Sequence, residues 1–315
     1  MSPPLAIVTE DIDVEALAWL RERCEVLECG LGGGGDLDKL LTRAHALIVR
    51  TYTHVDGALL ARAPQLKVVG RAGVGLDNVD VASCRARGVE VVHTPDANTQ
   101  AVAEYVVALL LDVVRPRERV TSAQSLVEWT RRRRGLVAAT QLSDLRLGIV
   151  GLGRVGKRVA RAALGLGMEV VFHDISDIES GGPGGPRGVG LDELLRTSDI
   201  VSIHVDARPG NRGFMHAGRL GLMKPGAIFI NTSRGFVVEV GALTAFLNVN
   251  PEAIAIIDVH EPEPFGPDYP LLACQNARLY PHLGAATRAA HAAMSWVVKD
   301  VWRVLEGKKP EWPAP

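Results

Sequence analysis

The chain has 315 residues, enough for about two domains at roughly 150 residues each. Lys plus Arg number 35 against 36 Asp plus Glu, a net charge of −1, so no general attraction to nucleic acid or an anionic membrane surface is expected. With 47% apolar and 23% charged residues, disorder, collagen and coiled coil are excluded for the whole. Only 5% aromatics beside 33 glycines suits helices packed closely on parallel sheets.

In chain order, LAIVT (5–9) reads as a buried strand, the spacing of Val14, Leu17 and Leu20 as a helix, and CEVLEC (24–29) as a second strand. GLGGGG (30–35) reads as a loop. ALIVR (46–50), LKVVGRAGVG (66–75) and VEVVHT (89–94) read as further strands, the middle one running into a glycine turn. A long helix starts at Asn98–Thr99, with apolar positions 102, 106, 109, 110 and 113 at helical spacing, and Pro116 ends or kinks it. A polar arm follows, carrying four consecutive arginines, Arg131 to Arg134. A second series of strands is expected at 145–150, 169–174, 199–204, 227–232, 253–259 and 277–282. The flexible connection GGPGGPRG (181–188) interrupts it, and a closing helix is expected from Thr287 to Leu305. Strands separated by helices predict α/β architecture with parallel sheets in two domains.

The four cysteines, Cys24, Cys29, Cys84 and Cys274, form no C-x-x-C pair and show no zinc-ligand spacing. Reduced thiols, no metal and a cytoplasmic location are expected. The N-terminal residues lack the basic region of a signal peptide, and the most apolar run, YVVALLL (105–111), is too short to span a bilayer.

Two constellations carry chemistry. GLGRVG (151–156) follows an apolar strand and opens a helix. In that context Gly151 allows a tight turn, Gly153 lets a pyrophosphate approach the backbone, and Gly156 lets helix and strand pack closely. The helix N-terminus offers unpaired amides and partial positive charge. Asp174 follows at the end of the next strand, where a carboxylate takes the adenosine ribose hydroxyls and repels a 2′-phosphate, favouring NAD over NADP. Arg187 on the following loop could soften that preference. The second set is Arg234, Glu263 and His282, each just beyond an expected strand, at the ends where open α/β sheets bind ligands. A His paired with a carboxylate suits proton transfer near neutral pH, and an Arg offers two parallel donors to a substrate carboxylate.

Over nearly its whole length the sequence resembles the NAD-dependent D-isomer-specific 2-hydroxyacid dehydrogenases. The resemblance rests on VVGRAGVGLDNVD (68–80), GLGRVG with Asp174, MKPGAIFINTSRGFVV (223–238), DVHEPEP (258–264) and PHLGAAT (281–287), in that order. It implies that His282 is the acid/base for the C2 oxygen, that Glu263 holds and charges it, and that Arg234 grips the carboxylate. Cofactor contacts map to Gly151, Gly153, Arg154, Val155, Gly156, Asp174, Val205, Thr232, Ser233, Asp258, Gly284 and Ala285, and substrate contacts to the Gly73–Val74–Gly75 loop. Within the family the substrate-loop and crossover-helix sequences are most similar to the phosphoglycerate dehydrogenases. This points to the D-3-phosphoglycerate/phosphohydroxypyruvate pair, with Arg50, Arg71 and Asn98 near the phosphate; Arg131 to Arg134 either reach a neighbouring subunit's cleft or form a solvated, charge-rich arm.

The implied fold is two Rossmann-like parallel-sheet domains. A nucleotide-binding domain (98–287) is inserted into a discontinuous flavodoxin-like substrate domain (1–97 and 288–315), and the protein is expected to be a homodimer. The sequence ends at Pro315 without the regulatory extension some relatives carry, so feedback through such an extension is not expected. His204–Val205–Asp206 departs from the usual H-x-P, and 248–259 is bulkier than usual. A glyoxylate or hydroxypyruvate reductase is the alternative within the family. Outside it stands an NAD(H)-sensing, corepressor-like binding protein, which DVHEPEPF also resembles.

Overall fold

The computed structural model describes residues 3–30 and 34–315. Backbone contacts divide the chain into two compact units, residues 1–98 with 285–315, and 99–284. The first unit opens with β1 (Leu5–Val8), α1 (Val14–Arg21), β2 (Glu25–Glu28), α2 (Gly34–Leu41), β3 (Ala46–Val49), α3 (Gly57–Arg62), β4 (Val68–Arg71), α4 (Val81–Ala86) and β5 (Glu90–His93). Among the described residues its sheet is parallel, in the order β2-β1-β3-β4-β5. The order reverses between β1 and β3, so the loops leaving those two strands frame a crevice at the carboxyl edge.

The second unit continues with α5 (Thr99–Val114), α6 (Leu126–Gly135), β6 (Arg146–Val150), α7 (Arg154–Gly165), β7 (Glu169–His173), β8 (Arg187–Gly188), α8 (Leu191–Thr197), β9 (Ile200–Ile203), α9 (Ala217–Leu220), β10 (Ile228–Asn231), α10 (Val240–Val249), β11 (Ile254–Ile257) and β12 (Ala277–Leu279). Its sheet is parallel throughout, ordered β12-β11-β10-β9-β6-β7-β8, the doubly wound arrangement with its switch between β6 and β9. The chain then returns to the first unit as α11 (Arg288–Ser295) and α12 (Val298–Leu305).

The apolar runs are buried because a parallel sheet is covered on both faces. On β1, Leu5 and Ile7 enter one core cluster and Ala6 and Val8 the opposite one. On β10 and β11, Phe229, Ala255 and Ile257 face one way, and Ile230 and Ile256 the other. Each fully buried Leu, Ile or Phe contributes roughly 1.5–3 kcal/mol. α12 lies so close to β4 that a Cβ on Gly70 would stand 2.4 Å from Val301 Cγ2.

Four local expectations need correction. The polar arm contains a helix, α6, opened by a capping box in which Ser125 and Glu128 serve each other's backbone amides. The C-terminal helix is two helices, broken at Trp296–Val297. The 181–188 connection ends in a two-residue strand, β8, pairing with β7. The 30–35 loop is cut short, because α2 begins at Gly34, and Leu31 to Gly33 lie outside the described residues.

Candidate active site

The glycine loop leaves β6 at Gly151, whose φ of +94° favours glycine and where a Cβ would lie 2.8 Å from the His204 carbonyl at the end of β9. A Cβ on Gly156 would lie 2.2 Å from the Gly151 carbonyl, so α7 packs against the loop only because residue 156 has no side chain. Around Gly153, the N-cap of α7, no atom stands within 4 Å of a Cβ position, and Arg154 and Val155 begin the helix beside it. Open space in front of unpaired helix amides fits a pyrophosphate. Asp174 follows β7. Its Oδ2 accepts from Leu152 N at 2.7 Å and its Oδ1 from Ser176 N at 2.8 Å, so the carboxylate is held against the glycine loop. Arg187 is exposed and pairs with Glu193 at 3.1 Å. Val205 follows β9 and packs on the core beside the Gly151 turn.

Beyond β10, buried Asn231 builds the next turn. Its Oδ1 accepts from Ser233 N (3.0 Å) and Ser233 Oγ (2.9 Å), and its Nδ2 donates to the Arg234 carbonyl (2.9 Å). Arg234 Nη1 donates to the Ser233 carbonyl at 2.7 Å. Thr232 Oγ1 is buried with no hydrogen-bond partner, a polar atom left for a bound group. A Cβ on Gly235 would stand 2.0 Å from the His260 carbonyl carbon, so the Arg234 turn lies directly on the loop that leaves β11.

That loop carries Asp258 and Glu263. Asp258, 1% exposed, accepts from Leu283 N (2.8 Å) and Gly284 N (2.9 Å), and burial raises its carboxyl above the usual range. Glu263 Oε1 accepts from His260 N at 2.6 Å, and Oε2 lies 2.8 Å from His282 Nδ1. Burial pushes the Glu263 carboxyl up, but the His282 and His260 hydrogen bonds outweigh it and leave it below its ordinary value. The carboxylate only accepts, so Nδ1 of His282 carries a proton and Nε2 is left to exchange one. The imidazole is 38% exposed, within reach of a small molecule. His282 is left-handed, with φ +58°, and its own N–H donates to the Asp258 carbonyl at 2.9 Å.

Thus the second unit brings the Arg234 turn, the Asp258–Glu263 loop and the 282–284 turn together at the carboxyl edge of the sheet whose β6 leads into the glycine loop. Ala285 is the first residue of the return to the other unit. Arg50, Arg71, Gly73, Val74, Gly75 and Asn98 belong to the first unit. There, Arg50 follows β3 and donates to the Asp11 carbonyl (3.0 Å). Arg71 ends β4, and its guanidinium lies over Gly73, where a Cβ would stand 1.5 Å from Nη1. The Val74 carbonyl meets His93 Nδ1 at 3.0 Å. Arg131 to Arg134 lie on α6, which buries none of its residues. Asn231, Gly235 and His260 lie within the 223–238 and 258–264 motifs, but no residue-type signal gives them a role apart from those motifs.

Among the described residues no cluster suits a metal, and no helix is long and apolar enough to cross a membrane. Residues 107–284 match the D-isomer specific 2-hydroxyacid dehydrogenase NAD-binding domain. The chain is 35% identical to a glyoxylate reductase of Aeropyrum pernix, covering 98% of this chain and 95% of that one. It is 35% identical to an (S)-sulfolactate dehydrogenase of Chromohalobacter salexigens, covering 93% and 96%. It is 33% identical to a D-3-phosphoglycerate dehydrogenase of Archaeoglobus fulgidus, covering 96% of this chain but 57% of that longer protein. Among solved structures, the TT0316 protein of Thermus thermophilus superposes with a TM-score of 0.84 at 35% identity, covering 99% of this chain and all of that one. The dinucleotide fits the open glycine loop, Asp174 and the unpartnered Thr232 hydroxyl, and NAD is the cofactor of this domain. The chain belongs to the D-isomer-specific 2-hydroxyacid dehydrogenase family.

Proposed function

We propose that the protein is an NAD-dependent dehydrogenase of D-2-hydroxy acids, and that D-3-phosphoglycerate and phosphohydroxypyruvate are its substrate pair. The observation that carries the chemistry is the 2.8 Å His282–Glu263 pair, with the Arg234 turn lying on the Glu263 loop. Arg234 takes the substrate carboxylate through parallel donors. In the reduction direction His282 Nε2 delivers a proton to the C2 oxygen, and in oxidation it removes one. Glu263 holds the Nδ1 proton and stabilises the imidazolium in both. NAD, when bound, supplies or accepts the hydride at C2. Glu263 is what separates this chemistry from a formate oxidation, which needs no proton taken from oxygen.

Support for a phosphorylated substrate comes from Arg50 and Arg71, cations at the carboxyl ends of the adjacent strands β3 and β4. The homodimer reading is supported by α6, where Leu126 and Val127 are about four-fifths exposed on a helix with no buried face. Light scattering tests it, and a monomer of 33.7 kDa would refute it. For the substrate, NADH consumption is compared with phosphohydroxypyruvate, hydroxypyruvate and glyoxylate. A kcat/KM preference of tenfold or more for the phosphorylated acid, about 1.4 kcal/mol, is expected. Equal or better use of the unphosphorylated acids makes the protein a glyoxylate/hydroxypyruvate reductase, the reading favoured by the A. pernix relative of matching length. NADH binding without turnover of any 2-oxo acid sinks the enzyme reading and leaves an NAD(H)-sensing binding protein.

A further inference from the structure

We propose that His260 is a positioning residue for the reaction, its buried ring fixing Glu263 and His282 relative to each other; this rests on the dehydrogenase reading above. His260 lies three residues past β11 and is 7% exposed. Its Nε2 is 2.8 Å from the Tyr280 carbonyl, and its Nδ1 is 3.2 Å from the Tyr269 hydroxyl. A carbonyl oxygen only accepts, so Nε2 carries the ring proton and Nδ1 accepts from the hydroxyl. Burial pushes Tyr269 up to about 12, so that hydroxyl keeps the proton it donates. The two neighbours thus match the tautomer with its proton on Nε2. Phe265 and Tyr269 fix its plane, with centroids 4.6 and 5.4 Å away and stacked on each other at 4.5 Å.

The main chain of the same residue reaches the reacting pair. Its N–H holds Glu263 Oε1 at 2.6 Å, leaving Oε2 for His282. Its ring holds the Tyr280 carbonyl, two residues before His282. His282 itself sits at φ +58°, a conformation that costs a non-glycine residue about 1–2 kcal/mol and persists only where its surroundings impose it. The His282 N–H returns to the Asp258 carbonyl, two residues before His260. Gly235 places the Arg234 turn against the His260 carbonyl. The imidazole therefore ties the exit of β11 to the exit of β12, while the main chain of the same residue holds Glu263 and meets the third turn. A phenylalanine there would fill the volume but leave the Tyr280 carbonyl and Tyr269 hydroxyl without their ring partners.

The test compares His260→Ala with His260→Gln, whose amide can still donate to Tyr280, in the full chain with NADH. His260→Ala is expected to lower kcat tenfold or more, with KM for the 2-oxo acid and the NADH Kd within about twofold of wild type. His260→Gln is expected to recover kcat to within about threefold. Long-range 1H–15N spectra of the imidazoles need no turnover. They should show neutral His282 protonated at Nδ1 in the wild type and Gln variant, and a tautomer mixture in the Ala variant. Wild-type kcat in His260→Ala, or a Gln variant as slow as the Ala variant, overturns the proposal. If His260→Ala fails to fold, Tyr269→Phe removes one hydroxyl from the same chain of bonds, and an unchanged kcat and unchanged His282 spectrum there overturn it equally. If the wild type reduces no 2-oxo acid, the dehydrogenase reading falls, while the spectra still decide whether His260 sets the His282 tautomer.

Discussion

Replacing Glu10 is expected to unlatch the loop that carries Arg50. Glu10 is 7% exposed, two residues beyond β1. Its carboxylate accepts from four consecutive backbone amides past β3: Arg50 (3.0 Å), Thr51 (2.8 Å), Tyr52 (3.1 Å) and Thr53 (2.9 Å). Asn78 holds the same loop from its carbonyl side, donating to Arg50 O (2.9 Å) and Thr53 O (2.7 Å). The nest therefore sits where the strand order reverses, the place where open α/β sheets receive ligands. Burial raises the Glu10 carboxyl, but the four amides outweigh it and leave it below its ordinary value. A hydrogen bond to a charged group contributes about 1.5–3 kcal/mol, but four to one carboxylate are not additive. Taken together, about 3 kcal/mol is expected for Glu10→Ala. In a unit of this size that lowers Tm by roughly 10 °C. Glu10→Gln turns one acceptor into a donor facing amides and should lose about 2 kcal/mol. Because the folded carboxyl lies below its unfolded value near 4.5, its stabilisation is present above that pH and is lost as pH falls toward the folded value. Urea unfolding at pH 7 and pH 3, with amide exchange at residues 50–53, reads both effects. An Ala variant within about 0.5 kcal/mol of wild type, or a Gln deficit equal at both pH values, would refute the reasoning.

Three further outcomes follow from single contacts. Gly156→Ala places a methyl 2.2 Å from the Gly151 carbonyl, so α7 must retreat from the loop; NADH affinity measured by fluorescence should fall at least tenfold, and an unchanged Kd would show that the loop yields. Glu263→Gln keeps the volume and the His260 N–H acceptor but removes the charge facing His282. We expect kcat to drop about 100-fold, the alkaline limb of the reduction profile to move to lower pH, and the NADH Kd to stay put; loss of binding with activity would point to a folding defect instead. Asp300, 5% exposed, accepts from Glu311 N (2.8 Å) and Trp312 N (2.7 Å), fastening a tail whose Ala314 N–H pairs with Val91 O (2.7 Å) on β5. Asp300→Ala should cost about 2 kcal/mol and release the Ala314 amide to fast exchange, and retained protection there would contradict it.

What the sequence discloses and what it hides divide along the range of the interactions involved. LAIV, RLGIV and IFIN announce themselves as strands because burial on both faces of a parallel sheet demands largely apolar runs. The glycines of 151–156 are legible because each answers to a local demand of turn, approach or packing. Arg234, Glu263 and His282 can be suspected from sequence because all three follow strands, where a parallel sheet gathers its loops. α6 escapes the apolar-stripe criterion because Leu126, Val127 and Trp129 face solvent, and its one local signal is the Ser125–Glu128 cap. His260 and Glu10 are hidden for a different reason. Each satisfies main-chain groups, and a main-chain amide or carbonyl has no residue type to recognise. Glu10 serves amides 40 to 43 positions away, and the His260 ring serves a carbonyl 20 positions away. A sequence therefore shows which side chains can do chemistry sooner than it shows which ones hold them in place, because the second set is defined by backbone geometry that exists only once the fold has formed.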